Sequence, residues 1–185
     1  MREWNSPTAC SRHFRIACAT LAILSAVCTS NPALAKRGAS GEASEIARCI
    51  RIAARGQGWL EKTLWGLREQ EAGWLGAEVA NTNGTHDLGP LQINSWWVPR
   101  IARLVDKPEP LVRHWLRHDA CFNAEAARWI FLSGLRTTGD YWKAVGIYHS
   151  PTLWRQRTYA AKVANHMRAR FGPDVFAAAS AEEGR

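Results

Sequence analysis

The sequence lacks the signatures of several large protein classes. Its longest charge-free apolar run spans only residues 16–28, whereas a helix that crosses a bilayer needs about 20 residues. No internal repeat and no heptad pattern occurs. Nor does the chain contain a Walker loop, a dinucleotide fingerprint, a zinc-protease motif or a haem-attachment motif. These absences exclude a multi-span membrane protein, and we expect neither a cofactor nor a metal ion.

Length and composition are those of an ordinary globular protein. The 185 residues suit one domain, and 46% apolar with 22% charged residues excludes wholesale disorder. The formal net charge of +8 favours an anionic partner, namely nucleic acid, a lipid headgroup surface or an anionic cell-wall polymer. Ten tryptophans are unusually many for this length, and exposed indole rings often serve in recognition.

Residues 1–35 have the pattern of a secretory signal peptide. Three arginines and one acid precede the apolar run 16–28, and the small-residue sequence Ala-Leu-Ala follows at 33–35. We therefore predict cleavage after Ala35 and export of the remaining chain. An uncleaved membrane anchor is the open alternative.

The cysteine distribution supports export. Cys10, Cys18 and Cys28 lie in the predicted signal peptide, so cleavage leaves only Cys49 and Cys121. Two cysteines in an oxidising compartment most simply form one disulfide bond, which we predict here. The alternative is a pair of buried free thiols.

Apolar spacing along the rest of the chain is typical of short helices around one polar segment. The segment 36–43 is rich in glycine and serine and is predicted to be flexible. Helices are predicted over 44–55, 59–73, 96–105, 109–117, 123–132 and 140–148, with a last one ending near 171. Residues 81–95 lack a helical period and contain an Asn-Gly turn signal, which indicates a small hairpin. We predict a mostly α (α+β) domain over 44–173 and a loose tail over 174–185.

One acid lies on an apolar helical stripe. Leu60, Leu64 and Leu67 form the buried side of the second predicted helix, and the next step of four reaches Glu71. Partial burial and the negative end of the helix dipole both raise the pKa of such a carboxyl. A carboxyl that stays protonated near neutral pH can act as a general acid. Periodicity alone leaves open that Glu71 lies at a frayed helix end and reaches water.

Three ordered motifs lie in this part of the chain. They are Glu-Ala-Gly at 71–73, Asp-Leu-Gly-Pro-Leu-Gln-Ile-Asn at 87–94 and Gly-Ile-Tyr-His at 146–149. Together they resemble the lytic transglycosylase family with the goose-type lysozyme-like fold, over about residues 49–167. The resemblance implies a lysozyme-like fold for this chain. The cysteine pair and the Tyr-His-Ser-Pro variant at 148–151 look most like the small specialised members that accompany conjugation and related secretion machines.

The resemblance also implies roles for individual residues. Glu71 matches the family's catalytic acid/base. Gln92 matches a glutamine that lines the cleft, and Tyr148 matches a tyrosine that faces the catalytic carboxyl. Asn94 and His149 belong to the same motifs, and we expect both to contact substrate.

The motifs depart from the family pattern at three positions. Ala72 replaces the usual serine, Pro90 a common leucine and His149 the usual asparagine. None of these changes removes the proton carrier. Asp87 has two interpretations: an Asx-turn residue that holds the loop, which we favour, or a carboxylate that helps to position reactants.

Further aromatic and histidine side chains flank the motifs. Trp74, Trp96 and Trp97 surround the motif loop, and we expect them to include rings that stack on sugars, with at least one in the core. His114 and His118, four residues apart, have the spacing of a metal-binding pair. Arginines on both sides of them favour a solvated basic face instead.

The resemblance implies an exported peptidoglycan lytic transglycosylase in the periplasm. Such an enzyme cleaves the β-1,4 bond between N-acetylmuramic acid and N-acetylglucosamine and leaves 1,6-anhydro-N-acetylmuramic acid. The expected partners are glycan strands and a type IV or related secretion or conjugation complex, and we expect a monomer without a membrane span after cleavage. Open alternatives are a non-catalytic peptidoglycan-binding assembly factor and a hydrolytic muramidase. Nucleic acid is disfavoured because the arginines are scattered rather than clustered among aromatics.

Overall fold

A computed structural model describes residues 32–179, with side chains over 40–177. In chain order the helices are α1 (Pro32–Ala54), α2 (Gly58–Glu71), α3 (Val98–Val105), α4 (Glu109–His118), α5 (Ala120–Thr138), α6 (Tyr141–His149) and α7 (Leu153–Phe171). The strands β1 (Glu78–Ala80), β2 (His86–Leu88) and β3 (Ile93–Asn94) lie between α2 and α3, and 3₁₀ helices span Ser95–Trp97 and Pro173–Ala179. The predicted mostly α fold class is confirmed. No helix in this part of the chain is long and apolar enough to cross a membrane.

The long helix α5 packs against α1, α4 and α6 at the centre of the fold. Its fully buried Phe131 belongs to the same core as the leucines of α2. Burial of a large apolar side chain of this kind stabilises the fold by about 1.5–3 kcal/mol. Helices α2 and α7 approach closely at Gly66, where a Cβ atom would lie 2.6 Å from Met167 Cγ. This close approach brings the end of α2 beside α7.

The predicted disulfide bond is confirmed. Cys49 of α1 and Cys121 in the first turn of α5 are bonded, with Cα atoms 4.5 Å apart. Asp119 caps that turn, because its carboxylate accepts hydrogen bonds from the backbone N–H groups of Cys121 and Phe122. The bond joins residues 72 positions apart and so encloses the first two motifs.

The polar segment between α2 and α3 forms a three-stranded meander. β1 pairs antiparallel with β2, and β2 pairs antiparallel with β3. Leu88 and Ile93, which lie opposite each other, are both buried in the core. The hairpin predicted within 81–95 is confirmed, and a third short strand extends the sheet.

The start of the domain differs from the prediction. The segment 36–43, predicted to be flexible, is helical because α1 begins at Pro32 and not at Ser44. Alanine, lysine, arginine and glutamate in this segment are good helix formers, which offsets the cost of its glycines. Glu42 fastens this part of α1 by accepting a hydrogen bond from the Leu75 N–H at 2.8 Å.

The first part of the predicted loose tail 174–185 is also folded. It belongs to a 3₁₀ helix that ends at Ala179, in which Val175 and Phe176 pack against the core. Burial of these two apolar side chains against the core favours the folded conformation of the segment. The rest of the tail and residues 1–31 of the predicted signal peptide lie outside the described part of the chain.

Candidate active site

A cleft of about 660 Å³ lies where the end of α2, the sheet and the end of α6 meet. The fold brings together there all the residues predicted for catalysis or substrate contact: Glu71, Asp87, Gln92, Asn94, Tyr148 and His149. Motifs that are widely separated along the chain therefore form one site. A concave site of this size with convergent polar groups is typical of a ligand-binding pocket.

Glu71 is the last residue of α2, and Ala72 ends the helix in the left-handed conformation with φ of 50°. Burial raises the pKa of the Glu71 carboxyl from its ordinary value of 4.5 to about 7. A hydrogen bond donated by the Tyr159 hydroxyl lowers this pKa in part, and the nearby charge of Asp87 raises it. Near neutral pH the carboxyl therefore exists in both forms, which suits a group that acts first as an acid and then as a base.

Tyr159 of α7 is the neighbour of Glu71 that the sequence prediction missed. Its hydroxyl donates to Glu71 Oε1, and its side chain is buried. A signal was present, because Tyr159, Val163 and Met167 follow at intervals of four on the buried side of α7. A buried tyrosine hydroxyl needs a hydrogen-bond partner, so a tyrosine on an apolar stripe indicates a polar group opposite.

Tyr148 does not donate to Glu71, although the motif resemblance places it facing that carboxyl. Its hydroxyl donates instead to the Leu91 carbonyl oxygen at 2.8 Å and so ties α6 to the loop before β3. Burial raises the pKa of Tyr148 well above its ordinary value, and the charges of Glu71 and Asp87 raise it further. The tyrosine thus lies close to both carboxyls while its hydroxyl holds the loop.

Gln92 lies in the loop between β2 and β3, and its backbone is in the left-handed conformation. Its φ is +49°, and its side-chain Nε2 donates to the Gly89 carbonyl oxygen at 2.8 Å. Gly73 packs directly against this loop, since a Cβ atom there would lie 2.7 Å from Gln92 Nε2 and would overlap the Gly89 oxygen. Glycine at position 73 therefore keeps the loop next to the end of α2.

Asn123 of α5 fixes the same loop from the core side and was not predicted either. Its fully buried amide donates to the carbonyl oxygens of Leu88 at 2.9 Å and Leu116 at 2.7 Å. Its side-chain oxygen accepts from the Leu91 N–H at 2.8 Å. Buried backbone groups need such partners, and a lone asparagine in the apolar side of α5 was the available signal.

Asp87 and Asn94 form a pair across β2 and β3. Asn94 Nδ2 donates to Asp87 Oδ1 and to Thr85 Oγ1, each at 2.9 Å. The Asn94 side-chain oxygen accepts from the Trp96 N–H at 3.0 Å. The Asx turn predicted for Asp87 is made by Asn83 instead: its side-chain oxygen accepts from the Thr85 N–H just before β2, whereas Asp87 lies within that strand. Asp87 therefore presents a second carboxylate to the cleft.

His149 stacks face to face on Tyr159, with ring centroids 4.7 Å apart and planes 2° from parallel. Burial lowers the pKa of the imidazole below 6.5. The charges of Arg155 and Lys162 lower it further, whereas the charge of Asp87 raises it. The ring is thus mainly neutral at pH 7 and offers one donor and one acceptor.

Two of the three tryptophans considered for sugar stacking line the cleft. Trp96 is half exposed, and the Arg100 guanidinium carbon lies 3.5 Å from its ring centroid. Trp97 is partly buried and packs edge-on against Trp129 at 5.6 Å. Trp74 is exposed and does not line the cleft.

The histidine pair lies outside the cleft. The rings of His114 and His118 are in contact, with centroids 4.7 Å apart and planes tilted by 34°. The arginines beside them, Arg113 and Arg117, form ion pairs with Glu78 of β1, so this face is a charge cluster that joins α4 to the sheet. Within residues 32–179 no three His, Cys, Asp or Glu side chains are grouped so as to hold a metal ion.

No protein-family model matches the chain, and no curated protein is similar enough to it to count as a match. The functional interpretation therefore depends on the geometry of the cleft and on the motif resemblance.

Proposed function

We propose that this chain is a peptidoglycan lytic transglycosylase with Glu71 as its single catalytic acid and base. The observation that carries the proposal is one buried carboxyl with a pKa of about 7 in the wall of the cleft. Side-chain amides and indole rings line the same cleft. Amides hydrogen-bond to N-acetyl and hydroxyl groups, and indole faces stack on the apolar faces of sugar rings.

The proposed reaction needs one proton carrier. The Glu71 carboxylic acid protonates the glycosidic oxygen as the bond between C1 of N-acetylmuramic acid and that oxygen breaks. The resulting carboxylate then takes the proton from the C6 hydroxyl of the same muramic acid, whose oxygen bonds to C1. Glu71 is protonated again at the end, and no water is consumed. Tyr159 donates to the Glu71 carboxylate and so stabilises it between the two steps.

A hydrolytic muramidase is the second candidate, favoured by one observation. Hydrolytic glycosidases use two carboxyls, about 5–5.5 Å apart for retention or 6.5–9.5 Å apart for inversion. Asp87 is the other carboxylate lining the cleft, and its charge raises the pKa of Glu71. We favour the transglycosylase because Asp87 Oδ1 already accepts from Asn94, within the sheet.

Digestion of purified cell walls followed by mass spectrometry tests the proposal. We expect 1,6-anhydromuropeptides, each lighter by one water than the hydrolytic product. Glu71→Gln should abolish them, because glutamine keeps the shape and has no transferable proton. Glu69→Gln is the matched control, since Glu69 lies on the same helix but pairs with Arg170 outside the cleft. It should retain the activity.

The other outcomes identify the alternatives. Reducing-end products that disappear in Asp87→Asn would mean a muramidase. Wall binding without release of either product would mean a non-catalytic assembly factor. Full activity in Glu71→Gln would mean that the wrong carboxyl has been chosen.

We further propose that the protein acts as a monomer in the periplasm, where it opens the wall for a type IV or related secretion or conjugation apparatus. The disulfide bond supports an oxidising compartment, and the net charge of +6 that remains after cleavage suits an anionic wall. Intact-mass measurement on fractionated cells should find a periplasmic chain that begins at Lys36. Retention of residues 1–35 would contradict the predicted cleavage.

A further inference from the structure

A second cavity of about 250 Å³ lies beside the cleft, and the Tyr159 and His149 rings form part of its wall. Arg155, Thr158 and Lys162 of α7 line it, and their spacing of three and four residues places them on one face of the helix. Arg155 and His149 line the cleft as well, so the two cavities lie side by side and share part of their walls. A ligand in the cleft can therefore extend into this second cavity, here named the α7 pocket.

Two positively charged side chains, Arg155 and Lys162, line the α7 pocket. No aspartate or glutamate is among its lining residues. Neither Arg155 nor Lys162 takes part in an ion pair within the part of the chain that the structure describes. The Arg155 guanidinium carbon lies 5.3 Å from the Trp154 ring centroid, and that indole forms another part of the wall. Both cations act on the same interior, since the charges of both lower the pKa of His149 after burial.

A pocket lined by two cations and placed next to the cleft can bind a negatively charged group of a ligand whose other part lies in the cleft. We propose that the α7 pocket binds a carboxylate of the peptide stem that branches from the muramic acid of the bound glycan. This inference rests on the proposed function for the identity of the glycan. Arginine and lysine form short charge-assisted hydrogen bonds to carboxylates, and the Gln70 amide adds N–H donors to the same wall.

The pocket gives the enzyme a means to distinguish peptide-bearing from peptide-free strands. A stem whose carboxylates are amidated keeps its size but loses the charge that Arg155 and Lys162 recognise. We therefore expect preference for stems with free carboxylates, and we expect that preference to weaken with added salt because the pocket is open to solvent.

Binding is measured by calorimetry on the full chain carrying Glu71→Gln, so that the substrate stays intact. The probes are a muramyl disaccharide with a tripeptide bearing free carboxylates, the same compound with those carboxylates amidated, and the peptide-free disaccharide. We expect about tenfold tighter binding of the carboxylate form than of the amidated form. Lys162→Gln and Arg155→Gln should each reduce this ratio, and the double variant should bring it close to one.

Arg157→Gln is the matched control, because it removes a positive charge from the exposed surface of α7 without lining the pocket. Its affinity ratio should equal that of the parent. Equal affinity for the two tripeptide probes, a preference that survives the double variant, or no measurable binding of any probe would overturn the proposal. The ratio of the affinities for the carboxylate and amidated probes does not depend on catalysis, because it is measured on the Glu71→Gln chain. If the chain prefers the carboxylate probe but the wild type forms no anhydro products, only the proposed reaction is overturned. If the wild type forms anhydro products but the chain shows no such preference, only the proposed role of the α7 pocket is overturned.

Discussion

The Glu71→Gln substitution tests the surroundings of the carboxyl without any substrate. Glutamine has the shape of a protonated glutamate, and its oxygen can accept the Tyr159 hydroxyl, which donates to Glu71 in the folded chain. It carries no charge at any pH. In the wild type the carboxyl must lose its proton inside the fold as the pH rises, whereas the variant has no proton to lose there. The difference between the two free energies of unfolding therefore isolates this one group.

The sign and size of that difference follow from the pKa. Glu71 has a pKa of about 7 in the folded chain against an ordinary value of 4.5. Below the ordinary value the carboxyl is protonated in both the folded and the unfolded chain, and its full contribution to stability is present. Between the two values only the folded chain holds the proton, so the free energy of unfolding falls as the pH rises. Above pH 7 the loss levels off at about 3 kcal/mol, from about 1.4 kcal/mol per pH unit.

Urea unfolding curves from about pH 4 to about pH 8.5 measure the effect. We expect the variant to gain about 3 kcal/mol over the wild type between about pH 4.5 and about pH 8. Glu61→Gln is the matched control, because it removes a carboxylate from the first turn of the same helix, about 15 Å along the axis from Glu71. A stability difference between wild type and Glu71→Gln that stays constant over the whole pH range would refute the buried, desolvated carboxyl.

Three other substitutions test the framework. Tyr159→Phe should raise the pKa of Glu71 above about 7, because the hydroxyl bond lowers it; a carboxyl-carbon NMR titration showing no rise would contradict that bond. Serine at both Cys49 and Cys121 should lower the free energy of unfolding by about 4 kcal/mol, as should reductant added to the wild type, because the 72-residue link is lost. Asn123→Ala should cost about 3 kcal/mol in urea unfolding by leaving three backbone groups without their partner; a loss under about 1 kcal/mol would mean that those groups find others.

Short-range patterns in the sequence predicted most of the helices and the carboxyl with a raised pKa. The stripe of Leu60, Leu64 and Leu67 is fully buried, and the next step along it does reach a carboxyl with a raised pKa. Helix periodicity works here because these leucines recur every three or four residues, which marks the side of α2 that faces the core. The disulfide bond followed from a count of cysteines once the first three were assigned to the signal peptide.

Contacts between distant parts of the chain were not predictable in the same way. Tyr159 meets Glu71 across 88 positions, and Asn123 meets Leu91 across 32. Each residue was visible as a polar side chain on an apolar stripe, but a stripe indicates only that a partner exists. Which partner it is depends on how α7 and α5 pack, and single-helix periodicity contains no information on that packing. The extension of α1 was missed for a related reason, because Glu42 is held by a backbone group 33 positions away.

The departures from the family pattern at positions 72 and 149 leave the surroundings of Glu71 intact. Ala72 ends α2 through its backbone, whose N–H bonds to the Arg68 carbonyl oxygen at 2.9 Å, so the helix end does not depend on a side-chain hydroxyl. His149 lies flat against Tyr159, the residue that donates to Glu71, and so supports that donor's ring. The raised pKa comes first from burial, and neither side chain is among the groups whose hydrogen bond or charge shifts it further. Under the proposed function, these two residues would therefore change contacts with the sugar and leave the hydrogen bond from Tyr159 to Glu71 in place.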